Sequence, residues 1–596
     1  MSRSKSIFAA LILAAMVYVV PQAQAVTTVE VTIAGSSAMW QTMALGAFHL
    51  AGAGAGHWTS ASNAVNLTDS RTTPVNVDPG TVWVVWNSTA TKVWSFNKVD
   101  SVVGDRCYFA QPHCSVNATQ ANLSGSGSQQ ISSVLWGADS ALPANVQALF
   151  TNGTPVTVAA TDIRPEDAAF AACRVNSSLG AGSNGGNASD GTDGLGYNTN
   201  NAAGVCPAAG LSAAHYVGTP IQSGFPGSTT VANVLSFNIK GSDPISGTAI
   251  PAFSVVEVGA TPVVFITERD KGQLTNLTDA STQQLQQAFS GANCDASAFG
   301  LPAGGIGVFL REPLSGTMNT TEATVFRHPA VYPGSILGVS QEENVGTHNP
   351  LAGQAGTCKT GAGARYRGIG TGEEVKSVQN SGHNFNMDGI GYTFFSYGNV
   401  SAIANNPAYG YITLNNVDPI FASYGPQSAT GIAMDPGQPN TAGTLPAAAN
   451  LPSSCGSAFP CAENQIWAGG LSFPNLRNGS YPSWSVVRLV SNGTGLTNAK
   501  ALVKNSQAFV VTSVPDYVPV LKTVAGGITD PGLLIVRSHY QEYDGAGTLL
   551  GAAPVNSGTT EAGGDAGGVI LSCATTALCS KTTQEVQGNQ GLQVRP

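Results

Sequence analysis

Strand-like runs that end in small polar residues and lead into helix-compatible stretches recur along this chain. Val29 to Ile33 is followed by a Gly-Ser-Ser turn and then by a helix-compatible stretch from Ala38 to Leu50. Gly304 to Leu310 leads in the same way into an Arg-x-x-x-Ser-Gly-Thr segment. Strands that alternate with helices predict an α/β fold whose sheets are mostly parallel.

Three further runs extend this pattern. Val82 to Trp86 ends in Asn-Ser-Thr, and Pro155 to Ala160 ends in Thr161-Asp162. Ala252 to Thr267 is apolar and β-branched, which predicts either two buried strands or one long strand that passes between domains. Open α/β sheets bind ligands at the carboxyl ends of their strands, so we expect a site where these runs end.

The composition excludes several classes of protein. Hydrophobic residues make up 42% of the 596 residues, which is enough for a packed core and argues against wholesale disorder. The net charge of −9 and the lack of a Lys/Arg run argue against a nucleic-acid-binding protein. The one long apolar stretch lies at the N-terminus, which excludes a protein with several membrane spans.

The N-terminus has the three parts of a secretory signal peptide. Arg3 and Lys5 supply the positive charge, Ile7 to Val20 is the apolar region, and Ala23-Gln24-Ala25 fits a cleavage site. We predict removal of residues 1–25 and a periplasmic or secreted mature chain without stable membrane insertion. The alternative is an uncleaved anchor helix, for which the apolar region is short.

The chain has ten cysteines, an even number that suits an oxidising compartment. Their spacing favours sequential pairing, which is one of many possible connectivities. A zinc site is the alternative, but no Cys-x-x-Cys pair or clustered His supports it. The expected disulfides are Cys107–Cys114, Cys173–Cys206, Cys294–Cys358, Cys455–Cys461 and Cys573–Cys579.

Polar residues at the strand ends together predict an anion site. The Ser315-Gly316-Thr317 turn would begin a helix, whose free N–H groups and positive dipole end attract an anion. The planar guanidinium of Arg311 can bind two oxygens of a tetrahedral oxyanion. Ser36 and Ser37 would add donors from the first helix.

An acidic residue, Asp162, follows one of the same strands. A carboxylate only accepts hydrogen bonds, so it would accept the O–H of a protonated phosphate and repel sulfate, which has no proton to give. The alternative is that Asp162 caps a helix that begins near Arg164.

The order of these segments resembles that of the Pst-type periplasmic phosphate-binding proteins of phosphate ABC transporters, within the type 2 periplasmic-binding-protein superfamily. The similar segments cover about half of the chain. They are Thr32-Ile-Ala-Gly-Ser-Ser-Ala38; Ala160-Thr-Asp-Ile-Arg-Pro-Glu-Asp167; Val263 to Gly291; Arg311-Glu-Pro-Leu-Ser-Gly-Thr317; Gly370-Thr-Gly-Glu-Glu-Val375; Asp388-Gly-Ile-Gly-Tyr392; and Asn478-Gly-Ser-Tyr-Pro-Ser-Trp484.

The resemblance implies two α/β lobes, each a mixed sheet flanked by helices, joined by a hinge of two crossing strands. It implies an exported protein that captures phosphate between the lobes for a membrane permease, without a cofactor. Ser88 or Thr89 would supply the family's hydroxyl after its second strand, through a looser match. The other implied ligand contacts are Ser37, Ala38, Asp162, Arg311, Ser315, Gly316 and Thr317.

The chain departs from the family in two contacts and in length. The family often has Asp two residues after the Arg, where this chain has Pro313, and a residue larger than Ala38 after its first hydroxyl. The implied first lobe spans 26–258 and 416–525, with insertions. The second lobe spans 259–415, and a Gly-rich extension spans 526–596.

Other functions were weighed against this one. A hydrolase lacks support because no Gly-x-Ser-x-Gly elbow and no His-Glu-x-x-His motif occur. A dinucleotide-binding enzyme lacks support because the glycines at 368, 370 and 372 do not have the required spacing. The second hypothesis is a surface or adhesive protein on the same fold. Its partner-binding face would use Trp83, Trp86, Trp94 and Trp136, although the core of a sheet is the commoner position for such residues. In such a protein Arg311, Asp162 and Ser315 need not converge.

Overall fold

The computed structural model describes the part of the chain from Thr27 to Ser572, with gaps. The predicted signal peptide and most of the C-terminal extension lie outside the described residues. In the described part, no helix combines the length and the apolar character needed to cross a membrane. The described ranges are 27–71, 75–165, 168, 237–239, 241–268, 272–289, 291–311, 314–326, 358, 360–368, 370–384, 387–396, 409–420, 473–477, 479–512, 516–519, 525–527, 535–537 and 569–572.

The strands supply many of the buried hydrophobic residues. In chain order they are β1 (Thr28–Gly35), β2 (Gly56–Thr59), β3 (Val65–Asp69), β4 (Val75–Trp86), β5 (Lys92–Lys98), β6 (Ser115–Asn117), β7 (Thr154–Pro155), β8 (Val158–Thr161), β9 (Ser254–Glu268), β10 (Asp279–Ala280), β11 (Ile306–Arg311), β12 (Ala364–Gly368), β13 (Asp388–Phe394), β14 (Tyr409–Leu414), β15 (Trp484–Ser491), β16 (Val518–Pro519), β17 (Ile535–Arg537) and β18 (Val569–Ser572).

The helices flank these strands. They are α1 (Trp40–Ala51), α2 (Ser101–Phe109), α3 (Gln120–Leu123), α4 (Ser133–Trp136), α5 (Ala144–Asn152), α6 (Thr282–Phe289), α7 (Gly316–Thr321), α8 (Gly370–Asn384), α9 (Pro474–Arg477) and α10 (Gly493–Thr512). Short 3₁₀ turns occupy Ser37–Met39, Leu274–Asn276, Ala296–Phe299 and Ala525–Gly527, and a π-helical turn, Glu322–Phe326, continues α7.

Sixteen of the strands form one mixed sheet, and β17 pairs with β18 apart from it. The main order is β12-β11-β13-β9-β15-β8-β1-β5-β4-β3-β6-β7, with β2, β10, β14 and β16 attached at the sides. Among the described strands, parallel pairing joins β1 to β5 and β8, β11 to β12 and β13, and β10 to β14. The predicted α/β class and mixed sheet are confirmed. The expectation of mostly parallel pairing is wrong, because hairpins such as β4–β5 add antiparallel neighbours.

The long strand β9 changes both of its neighbours near its middle. Residues 254–262 pair with β15, and Gly259 and Ala260 pair with β16. Residues 263–268 pair instead with β13 and β14. The Ala252–Thr267 run is therefore one long strand. We call the strands β1, β5, β8 and β15 the first strand group and β11 to β14 the second. The two-lobed division and its boundaries stay a prediction.

Helices cover both faces of the first strand group. Side chains of β1 alternate, so Ile33 packs with helix α1 on one face while Ala34 packs with helix α2 on the other. Helix α10 packs against α1. The four tryptophans that the adhesive hypothesis placed on a partner-binding face lie in these cores instead, between 0% and 7% exposed: Trp83, Trp86, Trp94 and Trp136.

Two of the predicted disulfides are confirmed. Cys107 pairs with Cys114 at the end of α2, and Cys294 pairs with Cys358 across 64 residues of sequence. The other six cysteines, Cys173, Cys206, Cys455, Cys461, Cys573 and Cys579, lie outside the described residues. Their pairing stays a prediction.

Candidate anion-binding site

Three strands of the first group end at one edge of the sheet. The parallel pairing of β1 with β5 and β8 places Gly35 level with Lys98 and with Ala160. Backbone bonds continue past the strands, since Val99 N donates to Gly35 O and Ser36 N donates to Ala160 O. The segments that follow these strands therefore meet at one place.

Asp162 is the acidic residue at this edge, and only 3% of it is exposed. Its carboxylate accepts hydrogen bonds from the hydroxyls of Ser36 and, at 3.0 Å, Ser101. Burial raises the pKa of Asp162 to about 6, although the two serine hydroxyls and the positive charges of Arg311 and Arg488 act in the opposite direction. At neutral pH this buried carboxylate is mostly ionised and accepts hydrogen bonds.

Gly35 lets the backbone at the end of β1 approach β8 closely. It has φ +135°, and a Cβ there would lie 1.9 Å from Ala160 O. Only glycine fits, because any side chain would overlap the backbone of β8. This close approach of the two strands places the hydroxyl of Ser36 against the carboxylate of Asp162, to which it donates a hydrogen bond. The same hydroxyl accepts a hydrogen bond from Ala38 N.

Arg311 ends strand β11 of the second group and is 3% exposed. Its Nη1 donates to the hydroxyl of Thr317 at 3.4 Å and to that of Thr371 at 3.1 Å. Thr371 is close because β12 runs parallel to β11, with Gly368 level with Arg311, and helix α8 begins two residues later. The guanidinium thus lies at the carboxyl edge of both strands.

The two strand groups contact each other through this edge. Arg311 Nη2 lies 3.3 Å from an oxygen of Asp100, which precedes helix α2. Val102 N donates to Leu314 O in the segment between β11 and helix α7. Asp100 therefore supplies an acid partner for Arg311 from 211 residues away in sequence. Pro313, where the family often has Asp, lies outside the described residues.

Gly316 lies directly against Asp162. A Cβ at this glycine would lie 2.4 Å from Ser101 Oγ and 2.7 Å from Asp162 Oδ2, so a side chain does not fit. Ser315, 1% exposed, accepts a hydrogen bond from Met318 N at 3.4 Å and keeps its own O–H to donate. The helix that follows, α7, has six residues, so its dipole attracts an anion less strongly than the sequence predicted.

Most of the predicted ligand contacts converge in what we call the strand-end cluster. Its members are Ser36, Asp100, Ser101, Asp162, Arg311, Ser315, Gly316, Thr317 and Thr371. Ser37 and Ala38 lie beside it, in the 3₁₀ turn that Ser36 caps. The carboxylate of Asp162 accepts hydrogen bonds from Ser36 and Ser101, which argues against the alternative that this residue serves only to cap a helix.

Ser88 and Thr89 do not join this cluster. They are exposed in the turn between β4 and β5. That turn lies at the opposite edge of the sheet, where Thr28 is level with Lys92. The prediction placed these two residues at the end of the strand Val82–Trp86, where a site was expected. In the structure β5 runs parallel to β1, and β4, which ends at Trp86, runs antiparallel to β5.

The sequence analysis missed Asp100, Ser101 and Thr371. Asp100 and Ser101 follow the strand-like run Lys92–Lys98 just as Asp162 follows β8, so the same signal could have found them. Thr371 opens helix α8 after β12, in the segment Gly370-Thr-Gly-Glu-Glu-Val375. Its contact with Arg311 depends on the pairing of β11 with β12, which the sequence does not state.

The cluster combines a cation, hydroxyl donors and a carboxylate acceptor. Arg311 supplies positive charge, the hydroxyls of Ser315 and Thr317 can donate, and Asp162 can accept. Within the described residues, no group of three or more His, Cys, Asp or Glu side chains is arranged to hold a metal ion.

No family model matches this chain, and no curated protein matches it. It is 15% identical to a phosphate-binding protein from Stenotrophomonas maltophilia over 62% of this chain and 79% of that one, with a TM-score of 0.25.

Two other solved structures are similar to the same degree. PstS from Borrelia burgdorferi is 12% identical over 44% of this chain and 70% of its own, with a TM-score of 0.23. An ABC-type phosphate transport receptor from Vibrio cholerae is 10% identical over 44% and 73%, with a TM-score of 0.23. At such values the likeness carries no argument about function, which rests on the cluster itself.

Proposed function

We propose that this protein captures phosphate in the strand-end cluster as an exported, non-enzymatic binding protein. One observation carries the proposal: Arg311 and Asp162, both 3% exposed, lie in one cluster with serine and threonine hydroxyls around them. A buried cation and a buried acceptor in one place suit a ligand that is both anionic and protonated.

The two charged residues have different roles in this proposal. Arg311 neutralises the ligand and donates from its planar fork, as arginine does to tetrahedral oxyanions. Asp162 accepts the hydrogen bond of a phosphate O–H and repels an oxyanion that has none. Phosphate is preferred to sulfate because sulfate at neutral pH has no proton for Asp162 to accept.

The arrangement also favours a binding protein over the adhesive alternative. A surface protein that reuses the fold has no need for Arg311, Asp162 and Ser315 to converge. In this chain Gly316, next to Ser315, lies against Asp162, Arg311 contacts Thr317, and the tryptophans assigned to an adhesive face are buried. We therefore propose reversible capture between the two strand groups, followed by delivery to an ABC-type permease from the periplasm or from outside the cell.

Calorimetric titration of the mature, phosphate-stripped protein tests the proposal. We expect tight binding of phosphate at neutral pH and no response to sulfate. Asp162→Asn places an amide, which can donate, where the carboxylate stood, so this variant is expected to bind sulfate. Glu30→Gln is the matched control, because Glu30 pairs with Lys92 near the opposite edge of the sheet.

Each outcome of this titration decides something. Sulfate binding by the wild-type protein would keep an anion site but remove the role of Asp162. No binding of either anion by the stripped protein would overturn the proposed function and leave the adhesive hypothesis.

A further inference from the structure

We propose that Asp100 makes the site selective for the doubly protonated monoanion of phosphate, as a second proton acceptor beside Asp162. The inference rests on the proposed function and deepens it, because it names the protonation state that is captured. Asp100 is one of the residues that the sequence analysis missed.

The position of Asp100 supports this role. Its carboxylate lies 3.3 Å from Arg311 Nη2, and Arg311 Nη1 is directed to Thr317 and Thr371. Its neighbour in sequence, Ser101, donates to Asp162 at 3.0 Å. An anion bound to the Nη2 edge of the guanidinium therefore lies against Asp100 while its other oxygens approach Asp162.

The balance of charge makes the number of ligand protons matter. Asp100 and Asp162 are opposed by Arg311 and by Arg488, which is fully buried and acts on Asp162. These four side chains are neutral together before a ligand binds. A dianion would add two uncompensated charges to a buried site, which is costly, whereas a monoanion adds one.

Hydrogen bonding gives the same preference. Both carboxylates accept and neither donates when ionised. Dihydrogen phosphate has two O–H groups, one for each carboxylate. Monohydrogen phosphate has one, so one carboxylate would face a bare oxyanion. The same reasoning admits dihydrogen arsenate.

The other ionisable groups near Asp100 limit how the test is designed. Lys98 is the last residue of β5. Its ammonium group lies 4.4 Å from the centre of the Trp40 ring, and burial lowers the pKa of Lys98 to about 8. Loss of its charge is the alternative source of weaker anion binding at high pH, and Lys98→Arg, which stays charged throughout the window, separates the two explanations. Ionisable side chains on the surrounding elements include Lys98 of β5, Asp162 after β8, Arg311 of β11, Glu374 of α8, Tyr392 of β13 and Arg488 of β15.

The test measures phosphate binding by the stripped full-length mature protein between about pH 6.5 and 8.5, a window that contains the second ionisation of phosphate and lies above the pKa of Asp162. The wild-type dissociation constant for total phosphate is expected to rise by about tenfold per pH unit at the upper end. Asp100→Asn is expected to reduce this rise to less than about twofold per unit. Glu30→Gln and Lys98→Arg are expected to keep the wild-type slope.

Proton uptake is the second measurement, and a merely structural role of Asp100 would not change it. Calorimetry in buffers of different ionisation enthalpy should show about one proton taken up per phosphate by the wild type at the upper pH, and close to none by Asp100→Asn. A flat wild-type profile without proton uptake would overturn this inference and leave the proposed function intact. An unchanged slope in a folded Asp100→Asn variant would also overturn it. Absence of phosphate binding at every pH would instead overturn the proposed function.

Discussion

Two buried regions of this molecule each combine two aspartates with two arginines, yet they differ in how the charges meet. In the strand-end cluster, Asp100 and Asp162 lie near Arg311 and Arg488. The second region, which we call the structural ion cluster, consists of Asp69, Arg71, Arg106 and Asp243.

The structural ion cluster pairs its charges directly. Asp69 lies 2.8 Å from both Arg71 and Arg106, and Arg71 reaches Asp243 at 3.0 Å. Burial alone would raise the pKa of Asp69, but the two guanidinium groups outweigh it and lower the pKa to about 2. In the strand-end cluster the charges are less closely matched, and burial raises the pKa of Asp162 to about 6.

The difference distinguishes a cluster of direct ion pairs from the cluster to which we assign the ligand. Close, direct pairs leave little for an incoming ion to gain. A carboxylate held by hydroxyls, with a guanidinium 3.3 Å from another acid, keeps hydrogen-bonding capacity that a ligand can use. Equal numbers of charges therefore do not imply equal roles.

Asp69→Asn should have the largest effect, and it breaks the structural ion cluster. Two arginines would lose their shared buried partner, which costs about 3–5 kcal/mol of the free energy of unfolding. Urea denaturation at neutral pH measures the loss. Phosphate affinity of the folded fraction should stay within about twofold of the wild type. A strong loss of affinity at unchanged stability would contradict the distinction between the two clusters.

Arg311→Ala breaks the strand-end cluster instead. Removal of the cation should cost roughly 2–5 kcal/mol of phosphate binding, as for truncation of one partner of a buried charge pair. Calorimetric titration measures the loss, with thermal denaturation as the check that the variant is folded. An unchanged affinity would remove Arg311 from the site.

The pKa of Asp162 makes stability depend on pH. The folded state takes up a proton at a higher pH than the unfolded state, so this residue's contribution is fully present below about pH 4 and is lost as the pH rises through about 6. Across that window the contribution amounts to about 3 kcal/mol. We expect the difference in the free energy of unfolding between wild type and Asp162→Asn to follow this course. The same difference at pH 4 and pH 7 would refute it.

The smallest expected change in phosphate affinity compares the two edges of the sheet. Ser101→Ala removes a donor to Asp162 and should weaken phosphate binding by about 1 kcal/mol. Ser88→Ala and Thr89→Ala change exposed hydroxyls at the opposite edge and should leave affinity unchanged. If Ser88→Ala and Thr89→Ala weakened phosphate binding as much as Ser101→Ala does, Ser88 and Thr89 would belong to the site.

The success and failure of the sequence analysis have one physical origin. Arg311, Asp162 and the Ser315–Thr317 turn lie at or shortly after the carboxyl ends of β11 and β8, which is where the sequence predicted a site. Ser88 and Thr89 were misplaced because strand direction depends on hydrogen-bond pairing, and β4 is antiparallel to β5. A run of Val and Trp does not encode that direction.

Contacts between distant segments were beyond local reasoning for a related reason. Asp100 and Arg311 are 211 residues apart, and their contact exists only because the two strand groups share an edge. The cysteine pairs Cys107–Cys114 and Cys294–Cys358 were found because sequential pairing required no knowledge of the topology. In each of these pairs a cysteine bonds to the next cysteine along the chain, so the order of the sequence was enough to predict the pairing.

The exchange of neighbours along β9 has a consequence for how the molecule unfolds. One uninterrupted strand, β9, lies between the two strand groups and pairs with both, with Pro262 paired to β15 and Val263 paired to β13. Loss of either group leaves half of this strand without its ladder and exposes the apolar side chains that it buries. We therefore expect the two groups to melt in a single cooperative transition, with the amides of β9 among the last to exchange with solvent.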